Sequence, residues 1–176
     1  MVVVLGVVLV GTGVIVLGRA AGGSSMSPTI PACNGRWLAE NVTYRFRDPH
    51  RGEIVVIHAR GQIGGPVVPD PAARDLNLGK RVIGVPGDRV VGREGRVFVN
   101  GAKADDIATD PFPVTRLGPD EYFVLGDNRI FSQDSRAFGP VPRDAIFGRV
   151  VLTYWPLGRL GVPGYDKNLV PPGDLC

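Results

Sequence analysis

The sequence predicts a mostly-β protein carrying one N-terminal membrane-spanning helix. Three observations predict it. Met1 to Gly18 is an uncharged run, almost wholly Val, Leu, Ile and Gly, ended by Arg19. After it no apolar period of 3.6 persists beyond about ten residues. Gly 25 and Pro 16 in 176 residues suit many short strands joined by tight turns.

The apolar run comes first. At ~1.5 Å per residue, eighteen residues of helix span roughly 27 Å, close to the hydrocarbon core of a bilayer. A cleavable leader would carry a basic n-region and a shorter apolar stretch. A buried helix in water is disfavoured by the Val and Gly content. Charge leaves the orientation open, because no Lys or Arg precedes the run and Arg19 follows it. Ala20 to Ser24 is a small-residue hinge, and Pro28 and Pro31 exclude a regular helix through the segment that follows.

The remaining elements are expected as strands. Trp37 to Phe46 and the continuous apolar Glu53 to Ala59 read as the first two, before a Gly/Pro-rich loop from Gly61 to Asp75. Val82 to Val85 and Arg89 to Val91 flank the turn Pro86-Gly87-Asp88, and Arg96 to Asn100 ends at Gly101. Ala102 to Pro119 has little apolar periodicity and reads as part of a flap. Tyr122 to Leu125 and Ile146 to Trp155 close the set, with the rigid lead Phe138-Gly-Pro-Val-Pro142 between them and a Pro/Gly-rich tail behind. The domain reading is an anchor over 1–18, a catalytic unit over 19–156 with a small subdomain near 92–121, and a tail over 157–176.

Composition narrows the function classes. A formal net charge of +3, without Lys/Arg clusters interleaved with aromatics, argues against nucleic-acid binding. No Cys/His/Asp group has ligand spacing, so no metal is expected. Cys33 and Cys176 are either two free thiols or one bridge to the C-terminus, and two cysteines do not make a disulfide scaffold.

The densest chemical signal is Gly126-Asp-Asn-Arg-Ile-Phe-Ser-Gln-Asp-Ser-Arg136, directly after an apolar strand. Opposite charges crowded around hydroxyls at the end of such a strand form a built polar network, because buried charges are tolerated only when paired and hydrogen-bonded. Two further segments stand out: Ser24-Ser-Met-Ser-Pro-Thr-Ile30 and Gly79-Lys-Arg-Val-Ile-Gly-Val-Pro-Gly-Asp88.

These segments together resemble the bacterial type I signal peptidases, membrane-anchored serine proteases with a Ser/Lys dyad. Ser25 to Thr29 resembles the nucleophile box, Lys80 to Asp88 the lysine box and Gly126 to Arg136 the third box; Arg51 to Ile57 resembles a weaker strand element between the first two. The resemblance runs from the apolar segment to about Pro156. It implies the antiparallel β catalytic fold shared with SOS-repressor-type proteases, no cofactor, and a monomer anchored in the cell membrane by a single pass. Its catalytic unit would lie outside the cytoplasm, its partners being the lipid bilayer and the signal peptides of exported preproteins.

The resemblance also implies roles. Ser25 is the expected nucleophile, a choice over Ser24 and Ser27 that rests on the motif. Lys80 is the expected general base. His50 and His58 have no motif around them, and a buried lysine can lose several pKa units to desolvation. Ser132 is expected to hydrogen-bond Lys80, with ion pairs Asp134–Arg136 and Asp127–Arg81 beneath the site. Gly22, Gly23, Ser24, Asn77, Leu78 and Gly79 are the expected substrate walls, and the peptide would add as a strand. Two positions depart from the common pattern. Gly23 removes a side-chain oxyanion donor, and Gly79 stands where a β-branched residue usually lines the pocket, which would relax selection for small residues. Phe46, Ile130 and Phe131 are candidates for contact with the bilayer, beside ordinary surface roles. Two rivals remain: a Ser/Lys peptidase with a narrower client, such as a conjugation or pilin processor, and a membrane-tethered module that binds signal peptides without cutting them.

Overall fold

The computed structural model describes residues 2–10, 13–20, 23–32, 34–61, 67–73 and 76–164. Gly22, Cys33 and Cys176 lie outside them. Thirteen strands are present among the described residues: β1 (Val2–Val10), β2 (Gly13–Ala20), β3 (Arg36–Glu40), β4 (Ile54–Gly61), β5 (Val67–Pro69), β6 (Leu76–Gly84), β7 (Arg89–Arg93), β8 (Arg96–Val99), β9 (Ala102–Lys103), β10 (Phe112–Arg116), β11 (Glu121–Leu125), β12 (Val141–Pro142) and β13 (Ile146–Trp155). One short helix, α1, covers Ser135–Phe138.

The strands form two antiparallel sheets. The larger runs β1-β2-β3-β13-β4-β6-β11-β12, with β5 on β4, and the smaller runs β10-β7-β8-β9. β4 is central: it pairs with β13, β5 and β6, and Ile54 to Ala59 are buried without a break. A strand covered on both faces reads as such a continuous apolar run. The larger sheet packs Val55, Ile57, Val82, Tyr122, Val124 and Val141 into one core. A second core joins the two sheets through Ile83, Val90, Val97, Leu117, Phe123 and Leu125.

The N-terminal run departs from the expected helix. Its residues form β1 and β2, paired from Val2↔Ala20 to Val10↔Gly13, and β2 continues onto β3. Val and Ile restrict χ1 and favour extended backbone, glycine weakens a helix, and β3 offers β2 an edge to pair with. Among the described residues no helix is long and apolar enough to cross a membrane.

Smaller differences have local causes. β3 stops at Glu40, not Phe46, because the Glu40 carboxylate accepts the Thr43 N–H at 2.8 Å and its hydroxyl at 2.7 Å, turning the chain into a short 3-10 segment. The Gly/Pro-rich loop contains β5, and β6 begins six residues before Val82, extended by pairing with β4 from Leu76 onward. The flap region carries β9 and β10, too short for a periodic signal.

Gly84 ends β6 where the sheets meet. A Cβ there would lie 2.7 Å from Val90 Cγ2, 2.8 Å from Leu117 Cδ1 and 3.3 Å from Phe123 Cβ. Close-packed interiors yield little to added volume. Gly84→Ala is therefore expected to destabilise by about 1–3 kcal/mol, read as a lower urea midpoint; an unchanged midpoint would show that this junction is loosely packed.

Candidate active site

Lys80 lies on β6, opposite Val55 of β4, and is 2% exposed. Its Nζ donates to Ser25 Oγ at 2.8 Å across 55 residues of sequence. Ser25 sits in an irregular turn, where Ser27 N–H bonds Ser24 O at 3.1 Å and Ile30 N–H bonds Met26 O at 2.9 Å. Burial pulls the Lys80 amine from its ordinary 10.5 down to about 8. Asp134 and Asp127 oppose that fall, while Arg136 adds to it. At pH 7 roughly a tenth of such amines are unprotonated, against fewer than one in a thousand for an ordinary lysine.

Asp127 joins the sequence boxes. Its buried carboxylate accepts Arg81 Nε at 2.8 Å and Nη2 at 2.7 Å, and the Thr29 hydroxyl at 2.5 Å. Arg81 Nη1 reaches the Gly52 carbonyl at 2.6 Å. Fork-to-fork pairing of this kind fixes direction as well as charge. The turn around Ser25, the β6 strand, the third box and the 51–57 element are thereby tied at one point.

Asp134 makes the second junction. It is fully buried, accepts Arg136 Nε at 2.8 Å and Nη2 at 2.9 Å, and takes the Gly126 N–H at 3.0 Å. The neighbouring Ser135 hydroxyl accepts the Val124 N–H at 2.9 Å. Gly126 has no room for a side chain: a Cβ would stand 2.2 Å from Ser132 Oγ and 2.4 Å from the Ser25 carbonyl. That carbonyl accepts the Asn128 N–H at 3.0 Å.

Ser132 behaves differently from expectation. Its hydroxyl is buried against Gly126 with no hydrogen-bond partner, so the bond to Lys80 is not made. Its backbone is extended at the end of a 3-10 turn, and its carbonyl is held by Arg136 Nη2 at 3.3 Å. Those contacts place the hydroxyl over Gly126.

The expected substrate walls divide. Gly22 is outside the described residues, Gly23 is exposed with open space around it, and Ser24 is half-buried. Residues 76–80 of β6 pair with β4 on one side, whereas β11 pairs with β6 only from Arg81 onward. Among the described strands their other edge has no partner. Asn77 Oδ1 lies 2.9 Å from His58 Nδ1, and Leu78 packs into the core, so Leu78 offers the edge its backbone alone. A Cβ on Gly79 would find only Met26 Cγ, at 3.9 Å. The position is open. Neither His50, which is exposed, nor His58 bonds Ser25. Phe46, Ile130 and Phe131 are exposed. Among the described residues no group of three or more His, Cys, Asp or Glu could hold a metal ion.

Sequence reasoning missed the Thr29 hydroxyl bond, the Gly52 carbonyl and the Asp105–Arg129 ion pair at 2.6 Å. Thr29, Gly52 and Arg129 lie inside recognised segments, whereas Asp105 lies outside all of them. An antiparallel β fold whose buried amine meets a serine hydroxyl is the framework of a Ser/Lys acyl-transfer site. The chain belongs to the family described as signal peptidase, peptidase S26, which matches residues 1–155. It is 40% identical over 148 residues to a probable signal peptidase I-2 of Synechocystis sp., covering 79% of this chain. The chain spans 63% of the length of that relative. It is 39% identical over 145 residues to signal peptidase I of Leptolyngbya laminosa, covering 80% of this chain and 69% of the relative. With signal peptidase IB of Staphylococcus aureus the figures are 34% over 161 residues, 78% and 76%. A crystal structure of a signal peptidase I from Enterococcus faecalis aligns with a TM-score of 0.46 at 26% identity, covering 58% of this chain and 97% of that one.

Two outcomes follow from the site's electrostatics. Asp127→Ala leaves Arg81 buried without its partner and is expected to lower stability by about 3–5 kcal/mol; a loss under ~1 kcal/mol by urea unfolding would show the pair to be dispensable. Lys80→Met should do the opposite. The unfolded lysine binds its proton up to about 10.5 and the folded one only to about 8, so stability rises with pH between those values and is at its lowest below them. Removing the amine is therefore expected to add up to about 3 kcal/mol at pH 7, and the gain should vanish near pH 11 when the two proteins are melted in parallel.

Proposed function

We propose that this protein is a membrane-anchored serine endopeptidase that removes N-terminal signal peptides from exported preproteins, cutting after small residues. Ser25 is the nucleophile and Lys80 the general base. The observation that carries the reading is the 2.8 Å contact between a buried Lys80 Nζ and Ser25 Oγ. Family membership and the three signal peptidase relatives support the substrate class.

The reaction follows from this geometry. The unprotonated amine accepts the Ser25 proton as Oγ attacks the scissile carbonyl, and the ammonium so formed protonates the leaving amine. Water, deprotonated by the same amine, then releases the acyl group from Ser25. Negative charge develops near the Ser25 N–H, and a second donor comes from backbone or water, since Gly23 supplies no hydroxyl. Asp127, Arg81, Asp134 and Arg136 hold the floor. The signal peptide lies as an added strand along 76–80, its small side chains facing Gly79, with Gly22 to Ser24 opposite.

The unit proposed for catalysis is 19–156, with the small sheet as its subdomain and 157–176 as a tail. The uncharged run 1–18 anchors the protein at the cell membrane, in a single pass with the catalytic unit on the extracytoplasmic face. In a bilayer that run would cross as a helix, because hydrocarbon leaves the open edge of a two-stranded hairpin unsatisfied. The protein acts as a monomer.

The test is cleavage of a preprotein bearing an Ala-x-Ala site by detergent-solubilised protein, read by mass spectrometry beside Ser25→Ala and Lys80→Met. A single cut after the small-residue site, lost in both variants, is expected. Its kcat/KM should fall about tenfold per pH unit below about 8, because the base must be unprotonated. Activity surviving in Ser25→Ala would sink the mechanism, and an intact substrate would favour the non-cutting or narrow-client alternative.

A further inference from the structure

Residues 104–111 join β9 to β10 in the small sheet, remote in sequence from both Ser25 and Lys80. Two side chains of this loop reach the third box. Asp105 Oδ2 accepts Arg129 Nη2 at 2.6 Å, and Asp105 Oδ1 accepts the Ile107 N–H at 2.9 Å, which orients the carboxylate. Thr109 Oγ1 accepts Arg136 Nη1 at 3.3 Å, while its own N–H bonds the Gly95 carbonyl at 3.1 Å.

Both arginines also donate to the backbone around the site, while Arg129 Nη1 is buried with no hydrogen-bond partner among the described residues. Arg129 Nε donates to the Gly126 carbonyl at 2.8 Å. Arg136 Nη2 donates to the carbonyls of Arg129 at 2.7 Å and Ser132 at 3.3 Å, and Arg136 also pairs with the Asp134 carboxylate that holds the Gly126 N–H. Gly126 is thus gripped at both its N–H and its carbonyl. It is also the residue against which the Ser25 carbonyl packs, too closely for any Cβ. A chain of contacts runs from Asp105 through Arg129 and Gly126 to Ser25.

An exposed ion pair would contribute little to such an arrangement. This one is enclosed: the Arg129 side chain is 1% exposed and that of Asp105 16%. Without the carboxylate, Arg129 would be a buried charge lacking its ionic partner, and it would move. A displacement of about 1 Å at a reacting pair can lower a rate by as much as ~100-fold.

We propose that the 104–111 loop is a latch that positions the Ser25–Lys80 pair, with Asp105 as its main positioning residue and Thr109 as a second. The inference rests on the roles given to Ser25 and Lys80 above. It makes the small sheet part of the rate-setting apparatus, although no residue of the loop touches the reacting atoms.

The test uses the full chain in detergent, with Asp105→Asn, Asp105→Glu and Thr109→Val, and with Asp106→Asn as a loop control whose carboxylate pairs with Lys103 at 2.5 Å. Rates are expressed per folded molecule by circular dichroism. Asp105→Asn is expected to lower kcat about tenfold with KM within about twofold, because the β6 edge is untouched. Asp105→Glu should recover most of the rate, and Asp106→Asn should match wild type. A second readout needs no substrate: the pH of half-acetylation of Lys80 by acetic anhydride, followed by mass spectrometry against Lys103 and Lys167, the only other lysines. In Asp105→Asn that pH is expected to rise by about one unit as water reaches the amine, the facing Asp134, Asp127 and Arg136 being unchanged in sequence. Asp105→Asn and Thr109→Val both holding kcat within twofold and the Lys80 pH in place would overturn the latch. If wild type cuts no preprotein, the functional reading fails by itself and the acetylation pH alone decides: a rise supports the latch, and an unmoved value overturns it.

Discussion

The Asp127 carboxylate is the constraint on which the site depends. Its contacts to Thr29, to both faces of the Arg81 fork and, through Arg81, to Gly52 bring together four segments that share no sequence proximity. Each contact fixes a different degree of freedom. Thr29 sets the far end of the Ser25 turn, Arg81 sets the register of the residue next to Lys80, and Asp127 itself lies in the third box. Because side chains alternate along β6, holding Arg81 on one face leaves Lys80 directed to the other. Ser25 is then secured from the third box by Asn128, whose N–H bonds the Ser25 carbonyl. The charge pair is therefore a registration device as much as a source of stability, and it needs full satisfaction because half a buried pair is worse than none.

How far the sequence could be read follows from the range of each signal. β13 and β11 were legible because a continuous run of β-branched and aromatic residues has few other solutions. The three boxes were legible because charged residues beside an apolar strand demand partners, and the structure brings Asp127 to Arg81 and Asp134 to Arg136. The run 2–20 was ambiguous by nature: length and apolarity suit a bilayer helix, while Val and Gly content suit strands, and the neighbouring edge of β3 is invisible in one dimension. Ser132 could not be placed, since its hydroxyl direction depends on the Gly126 contact and on Arg136 taking its carbonyl. Asp105 was illegible for another reason. An aspartate in a polar loop looks solvated until the fold brings a buried guanidinium from 24 residues away.

The division of β6 suits the strand addition proposed for the substrate. Its C-terminal half is enclosed between β4 and β11, and this half carries Arg81 and Val82 into the core. Among the described strands its N-terminal half has β4 on one side alone, and no described strand pairs with the other edge beside Lys80. Exposed edges invite pairing with another chain, and proteins ordinarily blunt them. Here the edge leads directly to the buried amine. The enclosed half supplies rigidity and the open half supplies a template, within one strand.

Lys80 sets the tension that the surrounding network resolves. Enclosing an amine in the sheet depresses its affinity for protons, yet two buried carboxylates, Asp134 and Asp127, pull the other way. Left alone they would draw the amine back towards its ordinary affinity for protons. Each carboxylate is instead engaged by its own guanidinium, Asp127 by Arg81 and Asp134 by Arg136, and Arg136 further disfavours the ammonium. The ion pairs beneath the site therefore serve two ends at once. They hold the backbone of Gly126 and the Ser25 turn, and they screen the amine from the very anions that do the holding. A fold could stabilise itself by replacing Lys80 with an apolar side chain, so a buried amine at this place supports the role proposed for it beside Ser25.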